Sequence, residues 1–281
     1  MRRLHCLLFL AAALVLTACA DRVIHTRLEE AEWVLAEERA AVLPDGTAVD
    51  LWCRKSFTGW NSYRLSDGTE LLEEDGPIGP EDVFVGGVDG FDQLGEAAQA
   101  AIGAYYENQG LLYDLQAELE RAYGAYQDCQ SSGEDFQAFV ARQEVFPASS
   151  NDHIICFVTS VTLSVQGAQS NQGRVVEETR LSAVFDRETG ERLDTMSLFT
   201  VPPEEVPERL FSAAQIYDGV LREEMKAAWD PAWLELDSGG LSVYFPRGAL
   251  PSQETAYGFS VDYEDVRDIL HDWAVPPPSA Q

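Results

Sequence analysis

Few residues in this chain are of types that do chemistry. Cys19 stands out by what precedes it: Arg2 and Arg3, an apolar run from Leu7 to Leu16, then Leu16-Thr17-Ala18-Cys19. A cationic start, a short apolar segment and small residues before a cleavage point describe a secretory signal. The run is shorter than the about 20 residues a membrane-spanning helix needs. The other cysteines beyond Cys19 are Cys53, Cys129 and Cys156. In an oxidising compartment one pair could bridge and leave one thiol over, and spacing does not choose the pair. None lies in a Cys-x-x-Cys and none is at a ligand spacing from a histidine, so no zinc site is expected.

The remaining candidates are weaker. His25 falls in a charged N-terminal stretch, His271 near the C-terminal end, and His153 reads as a strand-edge residue ahead of an apolar strand. The chain has no Gly-x-Ser-x-Gly, His-Glu-x-x-His or P-loop pattern. Among 48 acidic residues, pairs such as Glu73/Glu74 and Glu204/Glu205 arise by chance and define no glycosidase. Asp82, Asp89 and Asp92 cluster with Gly86, Gly87 and Gly90 but fit no EF-hand spacing, so a solvated acidic loop is expected. No catalytic residue, metal or cofactor is expected.

The formal charge is -29, with Lys55 and Lys226 the only lysines. Phosphate binding needs a cationic surface, so nucleic acid is excluded as a partner. Such a charge favours cationic partners and speeds their encounter at low salt; a merely soluble acidic surface would have the same composition. With 46% hydrophobic residues the chain can build a core of one large or two small domains.

These residues need elements to position them. Residues 20–40 read as a tether running into a short helix or strand. From Val42 to Val85, turn signals at Asp45-Gly46, Asp67-Gly68 and Asp75-Gly76-Pro77 separate short alternating strands such as Val49, Leu51, Cys53. Residues 93–127 carry apolar residues at three- and four-residue steps and predict a long helix, weakened at Gly103 and Gly110. Tyr105 and Tyr106 on it are read as core. A polar stretch follows, then strands over 154–165 and 175–186 joined by the loop Gln166 to Gly173. A helix is expected from Pro202 towards Lys226, then strands around Leu241–Phe245 and Phe259–Val261, and a closing helix over 264–273.

Leu16-Thr17-Ala18-Cys19 resembles the lipobox of bacterial lipoproteins, which implies a diacylglycerol on Cys19 and anchoring to the membrane outside the cytoplasm. Phe185-Asp186-Arg187-Glu188-Thr189-Gly190-Glu191-Arg192-Leu193, then Ser197-Leu198-Phe199, resembles the strand-turn-strand signature of the DUF3298 family. Gly240 to Phe245 and Ala256 to Tyr263 are similar to its final hairpin. The segment before them resembles the companion DUF4163-like segment. The resemblance implies an RsiV-like or PdaC-like extracellular domain, as found in an anti-sigma factor that binds lysozyme and in peptidoglycan deacetylases. The deacetylase's Asp-Asp and His-x-x-x-His patterns are absent.

The expectation is therefore an α+β protein: an antiparallel sheet of hairpins packed on a long central helix and a shorter C-terminal helix. Its parts are a signal peptide (1–18), a lipidated tether (19–40), a DUF4163-like segment (41–149), a DUF3298-like segment (150–273) and a Pro-rich tail (274–281). Function is read as a non-catalytic binding module for the cell wall or a cationic protein such as lysozyme. The expected contact region is the Gln166–Gly173 loop and the segment Pro246–Tyr257, with Gln166, Gln169, Asn171, Arg247 and Tyr257 as binding residues. The alternatives are a peptidoglycan- or sugar-acting hydrolase with an unrecognised carboxylate pair, and a structural envelope lipoprotein.

Overall fold

The computed structural model describes residues 32–55, 60–74, 90–165 and 175–275, without side chains at 175–177. Cys19, His25, Gln166, Gln169, Asn171 and most of the acidic Gly-rich loop lie outside the described residues. The fold is α+β. Its larger sheet has eight strands in chain order: β1 (Trp33–Val42), β2 (Ala48–Arg54), β3 (Asn61–Arg64), β4 (Glu70–Glu74), β5 (Phe139–Ser150), β6 (Ile154–Val165), β7 (Val175–Asp186) and β8 (Arg192–Leu193). Neighbours are antiparallel except β4 and β5, which are parallel. A parallel pair needs a long crossover, and helices α1 (Glu96–Gln109) and α2 (Leu115–Ser132) lie within it. A second sheet of three strands, β9 (Leu234–Leu236), β10 (Gly240–Phe245) and β11 (Tyr257–Asp262), follows helices α3 (Val206–Ala213) and α4 (Gly219–Ala228).

Strands β5, β6 and β7 have two dressed faces. On one, α1 packs Ala98, Ile102 and Tyr106 against Val145, Ile155, Phe157, Ala183 and Phe185. Tyr105 and Tyr106 meet Phe185 with centroids 5.2 and 6.0 Å away, as core rather than as a platform. Further along, Leu119 and Ala122 of α2 cover Leu72, Ala141 and Leu163. On the other face, Ile154, Cys156 and Val184 join Leu210, Phe211, Met225 and the apolar residues of the small sheet. The outward face of β1–β3 is held differently. Arg54 lies over Trp33 and Trp60 at 4.7 and 5.7 Å, and Arg64 over Trp33 and Trp52 at 5.0 and 5.5 Å.

Several expectations need correction. The tether does not reach residue 40, because Trp33–Val42 is already the edge strand of the sheet. The long central helix is two helices: Gly110 takes φ 62 and ends α1, and Asp114 caps α2 through the Ala117 amide at 3.1 Å. The polar stretch before residue 154 is the twelve-residue strand β5. The boundary at 149/150 falls on that strand, so the two segments share one sheet. The helix from Pro202 to Lys226 breaks after Ala213, with Gln215 at φ 55 and Asp218 capping the second piece through the Val220 and Leu221 amides. The closing helix is a single turn, α5 (Tyr263–Val266), continued by 3-10 turns through Ala274, whose burial moves the start of the tail beyond it. The sheet is also double rather than single, and has one parallel pair.

Candidate functional site

A cleft of about 470 Å³ opens between the two sheets. The strand register explains its floor. Glu235 pairs with Ser242, and Ser242 with Ser260; Tyr244 pairs with Gly258. Side chains alternate across a strand, so these residues share the face opposite Leu234, Leu236, Leu241, Val243 and Phe245, which build the core beneath. The facing wall is Phe146, Pro147 and Ala148 of β5 with Arg180 of β7.

Two carboxylates line this cleft, and both are engaged. The Arg180 guanidinium donates to Glu235 in a two-pronged fork, Nε to Oε1 at 2.7 Å and Nη2 to Oε2 at 2.8 Å. That geometry matches the planar fork to the carboxylate and is among the strong charge-assisted pairs. Glu235 is nonetheless held above the usual carboxylate range, because its burial outweighs the attraction of Arg180. Asp237 closes the β9–β10 turn: Oδ1 accepts the Gly239 and Gly240 amides at 2.7 and 2.8 Å, and Oδ2 accepts the Ser242 hydroxyl at 2.9 Å. The Tyr263 hydroxyl donates to the Asp237 carbonyl at 2.9 Å. Gly240 is required there, since a Cβ would stand 2.1 Å from the Val261 carbonyl oxygen. Tyr244 is pushed up to about 12 by burial and by the Glu178 carboxylate. Ser242 and Ser260 face each other at 2.9 Å between hydroxyl oxygens. Among the described residues neither has a histidine beside it: His153 is exposed at the β5–β6 turn and His271 stacks on Trp273 at 5.6 Å.

A second buried carboxylate, Glu74, sits at the end of β4. It accepts from Asn61 at 2.8 Å, Tyr63 at 3.2 Å and Tyr113 at 2.5 Å. Burial first, then the Glu74 charge, pushes both phenols above the usual tyrosine range. Tyr113 ties the α1–α2 link to the sheet, while Asn61 and Tyr63 hold the same carboxylate from the neighbouring strand β3, which is a structural arrangement. Among the described residues no group of three or more His, Cys, Asp or Glu side chains could hold a metal ion, and Cys53, Cys129 and Cys156 are all free thiols.

The expected contact residues fall elsewhere. Arg247 is exposed in the turn after β10, and Tyr257 is half-buried opposite Phe245, packed on the core. Neither lines the cleft, which is formed by the body of the hairpin rather than its tip. The signal for Ser242, Tyr244 and Ser260 was present as the polar half of the alternation around Leu241, Val243 and Phe245. Nothing local announces the Arg180–Glu235 pair, whose members are 55 residues apart.

No family model matches the chain, and no curated protein does. Among solved structures, the chain is similar to a DUF3298 family member from Bacteroides fragilis: 13% identity, 87% of this chain and 95% of that one covered, TM-score 0.38. It is also similar to a DUF3298 family protein from Pseudomonas aeruginosa, with 16% identity, 56% and 72% covered, and TM-score 0.32. The family of these neighbours is the one that the motifs between residues 185 and 263 resemble.

Proposed function

We propose that the protein is a lipid-anchored binding module outside the cytoplasm whose partner is cationic, a basic protein such as C-type lysozyme being the most concrete candidate. The observation that carries this is the state of the cleft. Its carboxylates are occupied by Arg180 and by the Asp237 turn, so it offers a shaped polar and aromatic surface instead of a free acid–base pair. A formal charge of -29 supplies long-range attraction for a basic partner, and the segment ending at Cys19 supports export and anchoring. The test is titration of the purified protein with C-type lysozyme, comparing wild type with Ser260→Arg, which fills the cleft from an exposed position. The expected result is binding by the wild type and marked weakening in the variant; equal binding by both would remove the cleft from the account. Cys19→Ser should move the protein from the membrane to the soluble fraction.

A second reading, a sugar- or peptidoglycan-acting hydrolase, has one observation in its favour. Glu235 is biased towards protonation beside Asp237, as an acid and a base would be. It predicts peptidoglycan hydrolysis that Glu235→Gln abolishes. Under the binding reading neither protein hydrolyses the substrate.

A further inference from the structure

A strand at the edge of a sheet exposes unpaired amides and carbonyls, and proteins usually blunt such edges. Three edges here are blunted. β1 loses register between Leu35 and Glu37 and again between Glu37 and Ala41, and Arg39 within it takes φ 55. β8 has two residues, and β9 has three that are all buried. β11 has no such device. Its six residues pair with β10 without a shift, it lies at the edge in the order β11–β10–β9, and it contains neither proline nor a cation.

The hydrogen-bond phase shows which groups β11 offers. The Tyr263 amide donates to the Gly239 carbonyl at 3.5 Å. In an antiparallel ladder the bonded pairs alternate, so Val261, Phe259 and Tyr257 turn their amides and carbonyls inward to β10. Gly258, Ser260 and Asp262 turn theirs outward, and all three are exposed. Their side-chain positions lie on the cleft face with Tyr244 and Ser242. Acidic residues flank the strand: Glu254 before it, Asp262 at its end, then Glu264 and Asp265.

We propose that β11 is a strand-addition site, where an extended segment of a cationic partner pairs with Gly258, Ser260 and Asp262 and lays its alternate side chains against the cleft. This rests on the proposed basic partner and adds how it is held. Main-chain bonds would supply affinity, and the acidic surroundings would select lysine- or arginine-bearing strands.

The test uses the purified protein and a blocked synthetic peptide alternating lysine with valine, followed by anisotropy and by amide hydrogen exchange. Ser260→Pro removes an outward amide that is paired with no other strand among the described residues, so the fold should survive while peptide affinity falls about tenfold. Ser260→Ala keeps the outward amide and should lose much less affinity than Ser260→Pro. In the wild type, peptide should slow exchange at Ser260 and Asp262 and leave Phe259 unchanged, a readout that stands even if the proline variant misfolds. Absence of peptide binding, unchanged exchange, or equal affinity in Ser260→Pro would each overturn the proposal. So would self-association abolished by Ser260→Pro, which would give the edge to a second copy. Peptide binding without lysozyme binding removes the named partner but not the strand site; lysozyme binding indifferent to Ser260→Pro does the reverse.

Discussion

Cys156 is fully buried, with its thiol pushed up to about 11 by that burial, while Cys53 and Cys129 are half-exposed. Since the thiolate is the reactive form, iodoacetamide should label Cys53 and Cys129 in the native protein and Cys156 only in denaturant. Early labelling of Cys156 would contradict its place beneath the small sheet. Glycines give a paired prediction. Gly68 and Gly190 both have φ near +80°, at 88° and 72°, but a Cβ meets nothing at Gly68 and the Ala98 carbonyl oxygen at 2.5 Å at Gly190. Gly68→Ala should cost about 1–2 kcal/mol, the left-handed backbone penalty alone; Gly190→Ala should cost clearly more, because α1 must also move. Denaturant midpoints decide it. Glycine turns are visible as letters in the sequence, but the pressure of a helix on one of them is not. Glu235 carries a pH signature. Its carboxyl is held above the ordinary 4.5, so the folded state takes up its proton first. Its contribution to stability is therefore complete below 4.5 and is lost as pH rises through the raised value. Glu235→Gln should flatten that part of the stability profile.

The elements that hide from sequence reading are those whose polar residues serve another element. β5 buries Gln143 and Ser149 at alternate positions where an apolar pattern would be sought, and carries Pro147 at a register shift. Gln143 accepts the Leu112 amide at 2.8 Å and donates to the Gly110 carbonyl at 2.8 Å. The residue that disguises the strand thus satisfies the backbone where the long helix breaks. By contrast β6 is a nearly continuous run of β-formers and β7 alternates around Leu181, Ala183 and Phe185, and both are readable to the residue. Two element contacts are testable. Arg180 joins β7 to β9, and removing it strands a buried carboxylate, so Arg180→Met should cost about 3 kcal/mol. The double variant Arg180→Met, Glu235→Leu should recover most of that; no recovery would mean the pair is not coupled. Trp33→Ala removes the ring between two guanidinium groups, each contact worth about 0.5–1 kcal/mol, and should speed amide exchange in β1 while leaving β6 protected.

At the scale of the whole molecule, the α+β class and the order of the hairpins were legible, because alternation and turn residues are local. The two-sheet arrangement was not: it depends on Glu235 meeting Arg180 and on Leu234, Leu236 and Phe245 meeting Cys156 and Val184 across the chain. The cleft exists only through that meeting, whereas the hairpin tips are expected as a contact region because loops commonly carry binding. Net charge is a property of the whole chain and acts before contact. It predicts that association with a basic protein is fastest at low salt and slows as salt screens it, and under the proposed function the cleft and the β11 edge set how long such a complex lasts. The measurement that tests the binding account most directly is therefore calorimetric titration of C-type lysozyme into the purified protein at low and at physiological salt. The account predicts sub-micromolar affinity that weakens but survives at the higher salt and is lost on Ser260→Arg. Binding that vanishes at physiological salt, or is indifferent to Ser260→Arg, would contradict it.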